Sequence, residues 1–187
     1  RHLNQRYVVE GIWSARAAHG KLILLTSSTE GKLLVGSGNL SWQGYASGGE
    51  LFAEYRYADD MHNDRAAFLD VFELVDQVAH QGWIQGRVLK NIRHVREKTK
   101  WLYGAGETGH HPVRHNLDVS FLDQLRAEVA GAPVEELWVM APFYDEHLQA
   151  LRSLVETLAP HEMTLLIQST ACSVDPDRLQ TLLHGSG

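Results

Sequence analysis

Four side chains in the first third of the chain have the types and spacing of a phosphoryl-transfer site: His19, Lys21, Ser37 and Asn39. An imidazole serves as a nucleophile or proton carrier, and an ammonium holds anionic oxygen. His19 and Lys21 are two residues apart, just ahead of Leu22-Ile23-Leu24-Leu25. On an extended strand, where side chains alternate, the two share a face. A second apolar run leads into Gly36-Ser37-Gly38-Asn39. Gly36 and Gly38 let backbone approach a ligand closely, while Ser37 and Asn39 offer neutral donors, and Trp42 follows within reach of a substrate. Such donors suit a phosphodiester, because stabilising charge on the transferring group is usually the largest catalytic contribution. The plainer alternative makes His19 a partly buried strand histidine and Lys21 its solvent-facing neighbour. Burial in a core or pocket wall is the ordinary expectation for Trp13, Trp42, Tyr45 and Phe52, and core for Trp138 and Phe143.

These residues need a sheet to carry them. Residues 7 to 57 hold β-type runs parted by Gly and Ser: Tyr7–Trp13, Leu22–Leu25, Leu33–Val35 and Leu51–Tyr57. From Asp64 the period changes. Phe68, Val71, Phe72, Val75, Val78 and Ala79 recur at helical spacing, which predicts a helix packed on that sheet. A second helix is predicted over 87–101, with Arg87, Lys90, Arg93, Arg96 and Lys100 opposite its apolar side. That basic face either meets phosphates or is simply solvated.

Residues 104–116, with three glycines and a proline, break both periods and read as a linker. His110, His111 and His115 lie in it without the fixed spacing that holds a metal, so no metal site is assigned there. Beyond it the expected elements are Val119–Ala130, Glu136–Ala141, Asp145–Leu158, Met163–Gln168 and Asp177–Leu183. Their helix–strand alternation implies a parallel α/β layer. Asp175-Pro176 supplies an N-cap and a first-turn proline for the last helix. The fold class expected is therefore α/β, a mixed and mostly parallel sheet flanked by helices.

The 187 residues, 44% hydrophobic, suffice for one sizeable core or two small ones, which argues against a disordered tail. A formal charge of -6 gives no global pull toward polyanions, so any such partner needs a local basic patch. The single Cys172 excludes an internal disulfide framework and fits a reducing cytoplasm. No apolar run reaches the roughly 20 residues that span a bilayer. The polar start, and a strand-like run beginning almost at once, are expected of an excised segment.

The His19-x-Lys21 and Gly36-Ser37-x-Asn39 elements, continued by Leu40-Ser41 and by Gly49-Glu50-Leu51, resemble the HKD signature of the phospholipase D superfamily, in its nuclease-like branch. The resemblance implies that His19 attacks phosphorus to give a phosphohistidine. Lys21 and Asn39 then bind nonbridging oxygens with help from Ser37, and Glu50 holds the ring nitrogen of a histidine that is not attacking. The scheme calls for no metal and no cofactor. Two positions depart from the pattern: Thr26 stands where the family carries Asp, and Gly48 where relatives often carry Asn, which leaves Glu54 as the fallback for Glu50.

The superfamily pairs two such motifs across a pseudo-twofold axis, and this chain has one. On the resemblance, 1–103 is the C-terminal part of a first repeat, 104–116 a linker, and 117–187 the N-terminal part of a second. The implied function is phosphodiester hydrolysis, on nucleic acid, with the second half-site coming from another repeat or a second copy. The alternatives are a phospholipid-cleaving enzyme, or a noncatalytic nucleic-acid-binding module that keeps the phosphate pocket.

Overall fold

Short apolar runs bounded by Gly and Ser become strands in the first half of the chain, and alternating periods become a β–α–β unit in the second. The computed structural model describes residues 9, 11–14, 18–58, 64–103, 111–168 and 174–184. The protein is of mixed α/β class and divides into two units, Arg1–His115 and Asn116–Gly187.

In the first unit, β1 (Leu22–Thr26), β2 (Gly31–Gly36) and β3 (Phe52–Tyr57) form a sheet in that order, antiparallel at both joints. The register sets Leu22 against Val35 and Gly36 against Phe52. Alternation then sorts the side chains. Leu24, Leu33, Val35, Tyr55 and Tyr57 meet α1 (Arg65–His80) through Ala67, Phe68, Val71 and Phe72. Trp101, in the 3-10 turn Lys100–Tyr103, stacks on Tyr57 with ring centroids 4.0 Å apart and meets the edge of Phe68 at 5.2 Å. Gly31 is needed here, since a Cβ on it would stand 2.6 Å from Phe68 and 2.8 Å from Trp101. The other face carries Lys32, Glu54 and Arg56. Hydrogen bonds from Lys32 and then Arg56 hold the Glu54 carboxyl below its ordinary range.

α1 ends where Gly82, at φ 72°, turns the chain in the left-handed region that glycine tolerates. α2 (Arg87–Lys98) follows. Segment 111–113 is strapped to this unit. Buried Asp70 takes His111 Nδ1 at 2.7 Å and the Val113 N–H at 2.9 Å, and the Tyr55 hydroxyl donates to the Pro112 carbonyl at 3.3 Å.

The second unit pairs β4 (Glu136–Met140) in parallel with β5 (Glu162–Leu166) through the crossover helix α4 (Gln149–Leu158). Within the same unit, α3 (Phe121–Val129) precedes β4 and α5 (Pro176–His184) follows β5. Leu148, Leu151 and Leu182 form its core, with Val139, Val155, Met163, Leu165 and Leu179 packed around them. Asp175 caps α5, accepting from the Asp177 N–H at 3.0 Å with Pro176 next in line. Asp145 caps α4 through the N–H groups of Ala150 at 3.0 Å and Gln149 at 2.7 Å, and these bonds lower its carboxyl pKa. A lowered folded pKa makes this stabilisation complete above the ordinary carboxylate range and lost as pH falls through the lowered value. Acid unfolding followed by circular dichroism should show that loss, and Asp145→Ala should flatten the wild-type decline in this window.

Three expectations need correction. Parallel pairing is confined to β4 and β5 among the described strands, so the sheet structure is not mostly parallel. The four residues between β1 and β2 are too few for a parallel crossover, so those neighbours can only run antiparallel. Tyr7, Val8 and Glu10 lie outside the described residues, while Val9 and Gly11–Trp13 form no strand. Several large aromatics expected to be buried are exposed: Trp13 at 73%, Trp42 at 78%, Trp138 at 61% and Phe143 at 79%, with Tyr45 and Phe52 also open to solvent. For Trp138 the cause is alternation. Leu137 and Val139 turn inward and Trp138 projects from the opposite face of β4. Among the described residues, no helix is long and apolar enough to cross a membrane.

Candidate functional site

The sheet register decides which residues can meet. Lys21 lies one residue before β1, and its carbonyl accepts from the Gly36 N–H at 3.2 Å, which extends the β1–β2 ladder by one step. Ser37 then exchanges backbone with Leu51, its N–H donating to the Leu51 carbonyl at 3.1 Å. The approach to β1, the exit from β2 and the approach to β3 therefore lie at one end of the sheet. They carry His19 and Lys21, then Ser37 and Asn39, then Glu50.

His19 and Lys21 do meet, although both precede the strand that the spacing argument placed them on. The Lys21 Nζ lies 2.9 Å from His19 Nδ1 and 3.3 Å from its Nε2. An ammonium can only donate, so the closer ring nitrogen accepts and carries no proton in this contact. Lys21 also donates to the His19 carbonyl at 3.3 Å. His19 is exposed and Lys21 half-buried, so the reading of a buried histidine beside a solvent-facing lysine does not hold.

The second pair is Ser37 with Glu50. The Ser37 hydroxyl donates to Glu50 Oε2 in a short bond and accepts from the Leu51 N–H at 3.2 Å. Its one proton is thereby committed, so Ser37 offers no donor to a phosphate in this arrangement. Glu50 in turn engages a hydroxyl and not an imidazole. Among the described residues, no hydrogen bond or ion pair joins the His19–Lys21 pair to the Ser37–Glu50 pair. The fallback Glu54 is occupied by Lys32 and Arg56 within β3. Thr26 pairs with Gly31 at the far end of β1 from Lys21.

Gly36 and Gly38 make close approaches, but to protein. A Cβ on Gly36 would stand 2.3 Å from the Leu51 carbonyl, and one on Gly38 2.6 Å from both the Gly44 carbonyl and the Phe52 ring. Asn39 itself is exposed, and its carbonyl accepts from the Ser41 N–H at 2.7 Å. The residues that shape its turn were not apparent from spacing. Ser41 Oγ accepts from the Gly44 N–H at 3.1 Å, and the π-helical turn Gln43–Ser47 closes behind. Gly44 itself was the available signal: glycine inside a helical stretch marks a tight approach. A Cβ there would stand 2.2 Å from the Asn39 carbonyl oxygen and 2.9 Å from its nitrogen. Gly44→Ala should cost about 1–3 kcal/mol by overpacking. Denaturant unfolding measures that loss, and the Asn39 amide resonance should move with it.

Of the basic side chains on α2, Arg96 is taken. It pairs with Asp76, donates to the Phe72 carbonyl at 2.9 Å and lies 5.3 Å over the Phe72 ring. Lys90 and Arg93 are exposed. Asp70, Glu73 and His111 each bring one ligand atom within 4.8 Å of the others. Both oxygens of Asp70 are already engaged by His111 and the Val113 N–H, so the cluster is accounted for as the strap described above. His110 lies outside the described residues.

No protein-family model, curated protein or solved structure matches the chain.

Proposed function

We propose that this chain supplies one half-site of a phospholipase D-like phosphodiesterase acting on nucleic acid. The observation that carries the reading is the contact between an exposed His19 and Lys21 at 2.9 Å, at the sheet end that also presents Asn39. In this reading a phosphate oxygen competes with the imidazole for Lys21 Nζ. That leaves the unprotonated ring nitrogen facing phosphorus while the ammonium holds negative charge. The N–P bond forms as the bond to the leaving oxygen breaks, and a histidine of the completing half-site protonates that oxygen. The same histidine then takes a proton from water, which attacks phosphorus and frees His19. Ser37 and Glu50 act as positioning residues, fixing the exit of β2 against the approach to β3.

Nucleic acid is supported by the exposed Lys90 and Arg93 of α2 and by the exposed indole of Trp42, three residues past Asn39, a platform on which any base can stack. The single Cys172 fits the cytoplasm as the setting. A second reading, cleavage of a phospholipid headgroup, is favoured by one feature. Leu40, Trp42 and Leu51 beside the site are 88%, 78% and 67% exposed, an apolar rim suited to acyl chains.

A substrate panel separates these readings, using the chain together with its completing half-site. Cleavage of single- or double-stranded DNA or RNA supports the nuclease reading. Cleavage of phosphatidylcholine with nucleic acids left intact transfers the site to lipid. DNA binding that is equal in wild type and His19→Ala, without turnover, makes it a noncatalytic binding module.

A further inference from the structure

The second unit carries an open pocket, lined in part by two arginines and a histidine, that the half-site does not use. It has a volume of about 190 Å³ and is lined by His147, Arg152, Arg178 and Thr181. At about 30 Å³ of liquid volume per water, that is space for roughly six waters, or for a tetrahedral anion with part of its hydration shell.

Two helix starts bring the lining together. His147 precedes α4, whose first turn carries Arg152, while α5 carries Arg178 and Thr181. The contacts of Leu151 and Leu182 in one core cluster hold those helices side by side. Arg178 organises the wall, donating to the Glu146 carbonyl at 2.6 Å and to His147 Nδ1, while its Nε faces Asp175 Oδ2 at 3.3 Å. Since a guanidinium can only donate, His147 Nδ1 carries no proton, and the neutral ring keeps its N–H at Nε2 as a donor. The Thr181 hydroxyl is committed to the Asp177 carbonyl at 2.8 Å and shapes the wall. The Asp145 carboxylate is turned to the backbone N–H groups that it caps, while Asp175 accepts backbone N–H groups at Oδ1 and faces Arg178 with Oδ2, and neither lines the pocket. Arg152 is the contrast: among the described residues its guanidinium has no hydrogen-bond or ion-pair partner.

We propose that this pocket is an anion site for a phosphate group. Arg152 supplies the charge and His147 Nε2–H a second donor, and Arg178 is the positioning residue that sets the His147 tautomer. A guanidinium beside a fixed N–H donor fits the oxygens of phosphate, whether free or carried on a polynucleotide.

The test is a titration of the whole chain with inorganic phosphate, read at the His147 ring resonances. Saturable shifts are expected, with affinity at least about tenfold weaker in Arg152→Ala and no saturation in Arg152→Glu, as loss of a charged hydrogen-bonding partner implies. Arg152 is exposed, and an unchanged spectrum of the Leu151 and Leu182 methyls shows that each variant is folded. His19→Ala should leave the His147 response unchanged, which keeps this site separate from the half-site. A short single-stranded oligonucleotide identifies the source. Competition with inorganic phosphate at His147 assigns the pocket to backbone phosphate, and no competition assigns it to the free ion. Absence of saturable shifts in wild type, or equal affinity in Arg152→Ala, overturns the proposal.

Discussion

His19→Ala is expected to lower phosphodiester turnover by about three orders of magnitude or more, with stability unchanged within about 0.5 kcal/mol. The two halves of that expectation have different sources. Loss of turnover follows from the proposed role of His19 as the group that bonds to phosphorus. The unchanged stability follows from exposure, since the imidazole's side-chain partner is Lys21, two residues away on the surface. The rate is read on bis(p-nitrophenyl) phosphate with the completing half-site present, and stability by thermal melting. A variant that melts early would make His19 structural, and one that turns over normally would remove it from the chemistry. Lys21→Ala should also slow turnover, with the larger change in kcat if its charge serves the transition state.

Phe68→Ala is expected to cost the first unit about 3–5 kcal/mol, the range for truncating a fully buried aromatic. Domains are stable by only about 5–15 kcal/mol, so this one change takes a large share of the margin. Phe68 is fully buried at the point where α1, the 3-10 turn and Gly31 converge, and its ring meets the edge of Trp101. The cavity cannot close easily, because the opposite wall is sheet backbone. Denaturant unfolding followed by Trp101 emission measures the loss. A cost under about 1 kcal/mol would show that the packing of α1 on the sheet is not what holds this unit.

The sequence was most informative where the pattern is local. The helical period of Phe68, Val71, Phe72 and Val75 identified α1 and its buried face, and Asp175-Pro176 marked the start of α5. Helix–strand alternation after residue 116 anticipated the parallel pairing of β4 with β5. Long-range pairing was not legible, because two strands of the same period can run either way. That is why the first sheet was misjudged. Partner choice escaped for the same reason: Ser37 and Glu50 are thirteen residues apart, and His111 and Asp70 forty-one. Exposure of Trp138 and Phe143 escaped because hydrophobicity marks what could be buried, and only the neighbouring elements decide whether a face is covered. Gly36 and Gly38 were singled out for close approach of backbone to a ligand, and the groups that the fold brings against them are those of Leu51, Phe52 and Gly44.

The central claim is that His19 forms a bond to phosphorus. Acid- and base-quench of the chain with its completing half-site during turnover of a 32P-labelled phosphodiester, followed by peptide mass analysis, tests it directly. The expected result is an acid-labile, base-stable phosphoryl group on the peptide that contains His19, absent in His19→Ala. Turnover that proceeds at full rate in His19→Ala with no label on that peptide would contradict it.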